Sequence, residues 1–535
     1  ISGDYNVAVG AGALDVATTA LDNVAIGYNA MGAVPGSQAV SSCVAIGTNA
    51  LLGSGSTTNV ASYNIAIGQD AGKSITTGGS NILIGEDAGG DLTTGVSNVY
   101  IGGRSSGQVS TTQTYNIGIG YGTLETNDAA DSCIAIGHDA LADVNHANSD
   151  GSIGIGYHAG TLISTGAGNV AIGYRALSAC TTAGGNTVIG YDAARLLAGR
   201  DNTGTDNTVI GWKAFDAATT NERQNVVIGS GAGGAIVGSA SDDNVLIGHN
   251  AGLGGGGTTE DCVVIGASAM DGTGTNTQTG TVAIGYFALS ELTSGANCTG
   301  VGYRALRSTT TGAGNTAVGW DAGYYNETGD NNTYLGFYAG YGNDANHTGN
   351  TGLGARALQN VTTGGTNVAV GANAGLAITT GAGNQLIGEN TLRTSTAGTN
   401  CVAIGSGALY TANENDNDGT IAIGNQAGNV QACTGGAQYA GAQVWIGHNA
   451  GLALTTGIGN IGIGYKALTQ HVDGNRNIAI GYGAMAITGG TTADGSDDNI
   501  FIGHLAGGGD WADAVSSENV GVGALVMDCL LYTSP

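Results

Sequence analysis

The sequence predicts an all-β chain wound as a parallel β-solenoid, a β-roll of about 29 short coils. Three observations predict it. A seventeen-residue unit, clearest in Asn81–Ser97 (NILIGEDAGGDLTTGVS), restarts at Asn98 with NVYIG and begins twenty-nine times between Asn6 and Asn519. Many starts are seventeen apart, as at Asn64, Asn81, Asn98 and at Asn350, Asn367, Asn384, Cys401, and the longer gaps run from eighteen to twenty-three. Within the unit, position five is Gly in every copy from Gly10 to Gly523 and position four is always Ile, Val or Leu. Position eight is Ala except at Ser105, Thr123, Thr391 and Val526.

Each part of the unit has a local reading. NILIG is a short extended run, because side chains alternate across a strand and β-branched residues suit it. With aliphatic residues at positions two and four (Ile82, Ile84) and varied ones at three (Tyr100, Trp445, Phe501), the expectation is that two and four face inward and three outward. Gly at position five ends the strand, since it accepts a positive φ and turns the chain. The small position eight and the apolar position twelve (Ile75, Leu92, Val361, Ile378, Leu454) supply a second inward face. Thr-Thr-Gly then turns the chain back. A lone coil cannot bury two faces, so coils must stack, each strand bonding its equivalents about 4.8 Å away. Extra residues always fall between position nine and the next start, as in 31–42 and 428–442, so one side is regular and the other carries loops.

Position one is expected to form a file of asparagines, each amide bonding the next: Asn64, Asn81, Asn98 and Asn315, Asn332, Asn350, Asn367, Asn384. Cys43, Cys133, Cys262, Cys298 and Cys401 replace that Asn in coils that are never adjacent. Even the pair Cys262 and Cys298, two coils apart, is separated by roughly 9.6 Å along the axis, beyond disulfide reach of about 7 Å. With Cys180 at position twelve, these thiols read as small buried hydrophobes, and Cys433 falls in a long turn.

The repeat spans residues 1–527 and reads as a single continuous array, with 528–535 a non-repeat tail resembling translated adapter sequence and expected to be artefactual. Ile1 already lies inside the pattern, so an N-terminal region is expected to precede it. Gly numbers 101 and Pro 2, without a collagen period. The formal charge of −27, from 13 Lys and Arg against 40 Asp and Glu, excludes a cationic nucleic-acid footprint. No apolar run of eighteen residues exists to insert in a membrane. The carboxylates are scattered singly, and Gly340–Asp344 only faintly echoes a Ca²⁺-binding nonapeptide.

The unit NVAIGYRALSACTTAGG (Asn169–Gly185) resembles the NTAIGYQAL…TTG repeats of phage tail-fibre and bacterial surface-fibre proteins. Its Asn-Val-Ala-Ile-Gly core is similar to the head repeats of YadA-like trimeric autotransporter adhesins. The resemblance covers about residues 6–527 and implies a left-handed roll, three chains to a fibre, and binding to host surfaces or matrix. The adhesin-head period is nearer fourteen, and stalk, anchor barrel and chaperone modules are not in this segment, so trimerisation and anchoring are not carried over. The general crossover rule favours the opposite hand.

Position six carries the most informative surface feature: Tyr157, Tyr174, Tyr191 and Trp212 in successive coils, then Tyr286, Tyr303, Trp320 and Phe337. Rings repeating at coil spacing stack into a stripe, which serves as a shielding ladder, a chain–chain interface or a glycan platform. His138, His249, His448 and His504 share this position in distant coils, and no metal site follows from them. No nucleophile elbow, phosphate loop or His-Glu-x-x-His motif is present, and no catalytic residue or cofactor is assigned. The sequons at Asn297, Asn326, Asn331, Asn346 and Asn360 are what an Asn- and Thr-rich chain produces by chance.

The expected function is a non-enzymatic extracellular, cell-surface or virion-surface fibre, structural and adhesive, whose rigid rod presents turns and an aromatic stripe to partners. Expected partners are like chains, as a homotrimer or filament, and a cell-surface glycan or matrix. The alternatives are a self-assembling filament subunit without ligand and an ice-binding solenoid. The latter would use Thr76-Thr77, Thr93-Thr94, Thr362-Thr363, Thr379-Thr380 and Thr455-Thr456, although only one Thr of each pair can point outward.

Overall fold

The computed structural model describes residues 3–527 apart from 17, 34–39, 54–60, 107–111, 145–146, 198–203, 219–221, 237–240, 255–256, 275, 343–345, 413–417, 432–441, 454–456, 471–472, 488–495 and 510–515. The tail 528–535, Cys433 and the pair Thr455-Thr456 with Leu454 lie outside the described residues. The chain divides into two compact units, one of residues 1–268 and 272–279, the other of 269–271 and 280–535. Each unit is a stack of parallel coils, so the fold is the all-β parallel solenoid expected.

Every motif start is followed by a three-residue strand, from Val7–Val9 to Val520–Val522. Neighbouring strands pair in parallel with like positions opposite each other: in the first unit Ile65, Ala66 and Ile67 face Ile82, Leu83 and Ile84, and in the second Thr316, Ala317 and Val318 face Thr333, Tyr334 and Leu335. Their backbones bond from coil to coil, as in Ile82 N–H to Asn98 O (2.8 Å) and Gly85 N–H to Ile67 O (2.8 Å). Among the described residues the one helical segment is the 3₁₀ turn Ala147–Ser149. No helix of the described residues is long and apolar enough to cross a membrane.

The facing of the strand is the reverse of the expectation. Position three is buried and positions two and four are half-buried on the outside: Leu83, Tyr100, Trp445 and Phe501 are 0% exposed, while their flanking Ile and Val residues stay partly open. Parity explains this. Positions one and three share a side of an extended chain. The position-one asparagines are buried, so position three must be buried with them.

The interior is filled by positions one, three, eight, nine and twelve. Ala88 and Leu92 sit in it as expected. Position nine, which carried no expectation, is Leu in many coils and Gly in others, and it adopts a left-handed backbone in both (Leu177 φ 52°, Leu306 φ 53°, Gly89 φ 58°, Gly451 φ 61°). Its size complements position three. Trp445 fills the space beside Gly428, Gly451 and Gly462, whose added Cβ atoms would each meet its indole. Tyr334 likewise occupies the space left by Gly323, Gly340 and Gly352. At Ala171, Ala283 and Ala403 position nine is Leu177, Leu289 or Leu409, whereas Ala66, Ala317 and Ala422 share their coils with Gly72, Gly323 and Gly428, which make room for Leu83, Tyr334 and Trp445 one coil on.

Position-five glycine is required twice over. Gly85 has φ 136°, and a Cβ on it would lie 2.5 Å from the carbonyl oxygen of Gly102, the equivalent residue one coil on. The same clash recurs down the stack, so no other residue fits.

Candidate functional site: the ladders and the outer sheet face

The asparagine file is a buried hydrogen-bond ladder. Asn81 Oδ1 accepts from Asn98 N–H (2.9 Å) and Asn98 Nδ2 (3.0 Å), and Asn81 Nδ2 donates to Asn64 Oδ1 (3.0 Å) and Gly95 O (2.9 Å). The pattern repeats from Asn315 to Asn332 and from Asn350 through Asn367 to Asn384. All eight of these named residues are fully buried, and the stacked amide meets the demand that buried polar groups be paired. The described cysteines form no disulfide and are buried inside the stack. Burial raises the thiol pKa of Cys43 and Cys298, and pushes it to about 11 for Cys133 and about 12 for Cys180 and Cys401, which keeps these thiols protonated and unreactive.

The position-six rings stack in both units. Tyr157 and Tyr174 lie 5.1 Å apart at 9°, Tyr174 and Tyr191 4.8 Å apart at 9°. Tyr286 stacks on Tyr303 at 5.6 Å and Tyr303 on Trp320 at 4.1 Å. Trp212 and Phe337 are exposed at the same position. Lys213 sits over Trp212 and Arg304 over Tyr303, cations within about 5 Å of the rings. The histidines extend these columns: Tyr121 stacks on His138 (5.3 Å), and His448, Tyr465, Tyr482 and His504 form a run of their own. Nearly parallel rings turn their faces toward each other, so the stripe offers solvent its edges and phenol groups.

Beside the stripe lies the outer sheet face, with two residues per coil in rows at positions two and four, all aliphatic or Thr apart from Gln385. Ile119, Ile387 and Ile502 are exposed outright and most others partly so. The expectation that these rows face inward leaves no such apolar surface; their outward facing creates it.

The Thr-Thr turns present a half-used surface. The first hydroxyl is spent within the protein, Thr76 Oγ1 donating to Thr93 O (3.1 Å) and Thr379 Oγ1 to Thr396 O (3.0 Å), while Thr77 and Thr380 are exposed.

An open groove of about 480 Å³ runs past Tyr157, His158, Tyr174, Arg175 and Arg195. At its edge, His138, Asp139 and His158 hold three potential metal-ligand atoms within 4.8 Å of one another, the one such group among the described residues. The position-six histidines alone give no such cluster; the missing signal was position seven, where Asp139 and His158 stand on consecutive coils. Compared with known proteins, the chain matches no family model and no curated sequence.

Proposed function

We propose that this chain is a structural fibre segment, non-enzymatic and displayed at a cell or virion surface, whose outer sheet face packs against further copies of itself. The observation that carries the reading is the pair of rows at positions two and four, mostly aliphatic with some Thr, left half-open coil after coil on the outer face of the sheet. Apolar surface of this extent marks an interaction site. A surface that repeats at strand spacing is matched over many coils only by another that repeats at the same spacing, and a second copy is such a surface. Strand residues here carry no charge, so the net −27 of the chain sits elsewhere and does not oppose the contact directly.

Sedimentation of the purified chain tests this. The native protein is expected as a discrete oligomer or as laterally associated filaments. Lysine at Ile65, Ile82 and Val99 together should reduce it to monomers with an unchanged strand signature in circular dichroism, because these side chains are half-exposed. A native protein that is monomeric at all concentrations overturns the reading.

An adhesive role for the same fibre is favoured by the groove, where Arg175 and Arg195 bring scarce positive charge beside Tyr157 and Tyr174. Retention of acidic oligosaccharides on a glycan array, lost in Arg175→Ala/Arg195→Ala, is its expected result.

A further inference from the structure

We propose that His138, Asp139 and His158 form a binding site for a borderline transition-metal dication of the zinc class, bridging two consecutive coils. The three residues come from neighbouring Gly turns. His138 and Asp139 follow Gly137, and Tyr157 and His158 follow Gly156. The two turns are fixed to each other by His158 N–H donating to His138 O (2.9 Å), and the upper turn is fixed to the coil before it by Asp139 N–H donating to Tyr121 O (2.9 Å). Asp139 and His158 both have left-handed backbones, φ 51° and 52°, which project their side chains from the same column.

The donor atoms converge. Asp139 Oδ2 lies 3.0 Å from His138 Nδ1 and 3.7 Å from His158 Nε2. Ligands about 2.0–2.2 Å from a tetrahedral zinc stand roughly 3.4 Å apart, and these two separations bracket that value. The other carboxylate oxygen, Oδ1, is tucked against Gly122, the position-seven residue of the preceding coil, where a Cβ would clash with it. Glycine there gives the carboxylate room to turn Oδ2 toward the imidazoles.

The hydrogen-bond network sets the imidazole of His158 for coordination. Thr161 Oγ1 donates its one proton to Asp139 O (3.1 Å), so toward His158 Nδ1 (3.3 Å) it can only accept. The tautomer that matches this arrangement carries its proton on Nδ1 and leaves the Nε2 lone pair free for a metal. The backing hydroxyl is the kind of outer partner that orients metal-bound histidine. Two nearby cations have carboxylate partners of their own: Arg104 pairs with Glu125 (3.0 Å) and Arg175 reaches toward Asp192 (3.6 Å). Two imidazoles and one carboxylate favour Zn²⁺, Ni²⁺ or Cu²⁺ over Ca²⁺ and Mg²⁺, and three protein ligands leave a position for water.

The test uses the full chain without a polyhistidine tag, stripped by chelator and titrated with ZnCl₂ by calorimetry. One Zn²⁺ per chain is expected, with CaCl₂ giving no comparable heat. Asp139→Asn and His158→Gln should each weaken that binding at least tenfold. His249→Gln, which alters a position-six histidine flanked by Asn250 and Ser268 in the position-seven column, should leave it unchanged. Co²⁺ in place of Zn²⁺ should give visible ligand-field bands in the native protein and lose them in both site variants. No stoichiometric binding in the native chain overturns the proposal, as does binding that survives both site variants or falls equally in all three variants.

Discussion

Single residues carry this fold through hydrogen bonds as much as through apolar contact. Removing the side chain of Asn81 leaves the buried N–H of Asn98 without its acceptor and Gly95 O without a donor. Each orphaned group costs about 1–3 kcal/mol. Asn81→Ala should therefore destabilise its unit by about 2–4 kcal/mol in urea melts followed by circular dichroism, whereas Thr77→Ala, on the exposed turn, should fall within about 0.5 kcal/mol of native. His347 makes a second residue-scale case. It is fully buried, its Nδ1 is 3.0 Å from the hydroxyl of Tyr334, and desolvation lowers its pKa to about 4 from an ordinary 6.5. A group that resists protonation when folded contributes stability that is complete above its unfolded pKa and is lost as pH falls. The loss should run from about pH 6.5 down to about pH 4, on the order of 3 kcal/mol in total. Comparing urea midpoints at pH 7 and pH 4.5 should show His347→Gln losing less on acidification than the native chain, since the carboxylates common to both cancel in the difference.

At the scale of one coil, the strand and the Gly turn were legible, but the side of the strand was not. Aliphatic residues at positions two and four invite the inference that they point inward. The decisive clue was already present in the position-one file: an Asn ladder inside the stack forces position three inside by parity. The variety at position three, from Gly118 to Trp445, looked like tolerance of solvent and is instead a size exchange with position nine. Reading it needed two positions of three successive coils at once, which no single unit displays. The same limit hid His158, a position-seven residue whose significance depends on a neighbour nineteen residues earlier in the chain, at Asp139. The exchange gives a quantitative prediction. Gly451→Leu should be severely destabilising, because its side chain meets the indole of Trp445. Leucine itself is acceptable in that backbone conformation, as Leu409 and Leu468 show with φ 52° and 53°. Trp445→Ala alone opens a cavity and should cost about 3–5 kcal/mol. The double variant recreates the Ala403/Leu409 arrangement, so a double-mutant cycle should return a favourable coupling of about 2 kcal/mol or more.

For the molecule as a whole, stability resides in the contacts between coils, since each coil touches only its neighbours and leaves both faces open alone. A stack of this kind depends on register and is indifferent to the number of coils within it. Excising Asn81–Ser97, seventeen residues, joins Ser80 to Asn98 and presents Asn98 to Asn64 in place of Asn81. Both partners in the new contact keep their ladder chemistry: Asn64 Oδ1 already accepts from an Asn one coil on, and Ser80 and Ser97, the residues before the junction, share a left-handed backbone with φ 61° and 60°. Position three then places Ala66 directly before Tyr100, and the position-nine Gly72 leaves the room that Leu83 had used. The shortened chain should fold with the native strand signal and a denaturation midpoint close to the parent's. Excising only 81–88 removes fewer residues yet deletes the strand, the Gly turn and the ladder Asn while leaving the Thr turn, so the file breaks at Asn64. That smaller deletion should unfold the neighbouring coils, seen as loss of strand signal and new proteolytic cleavage on either side of the junction. Equal tolerance of both deletions would mean that the coils are held by something other than their mutual register.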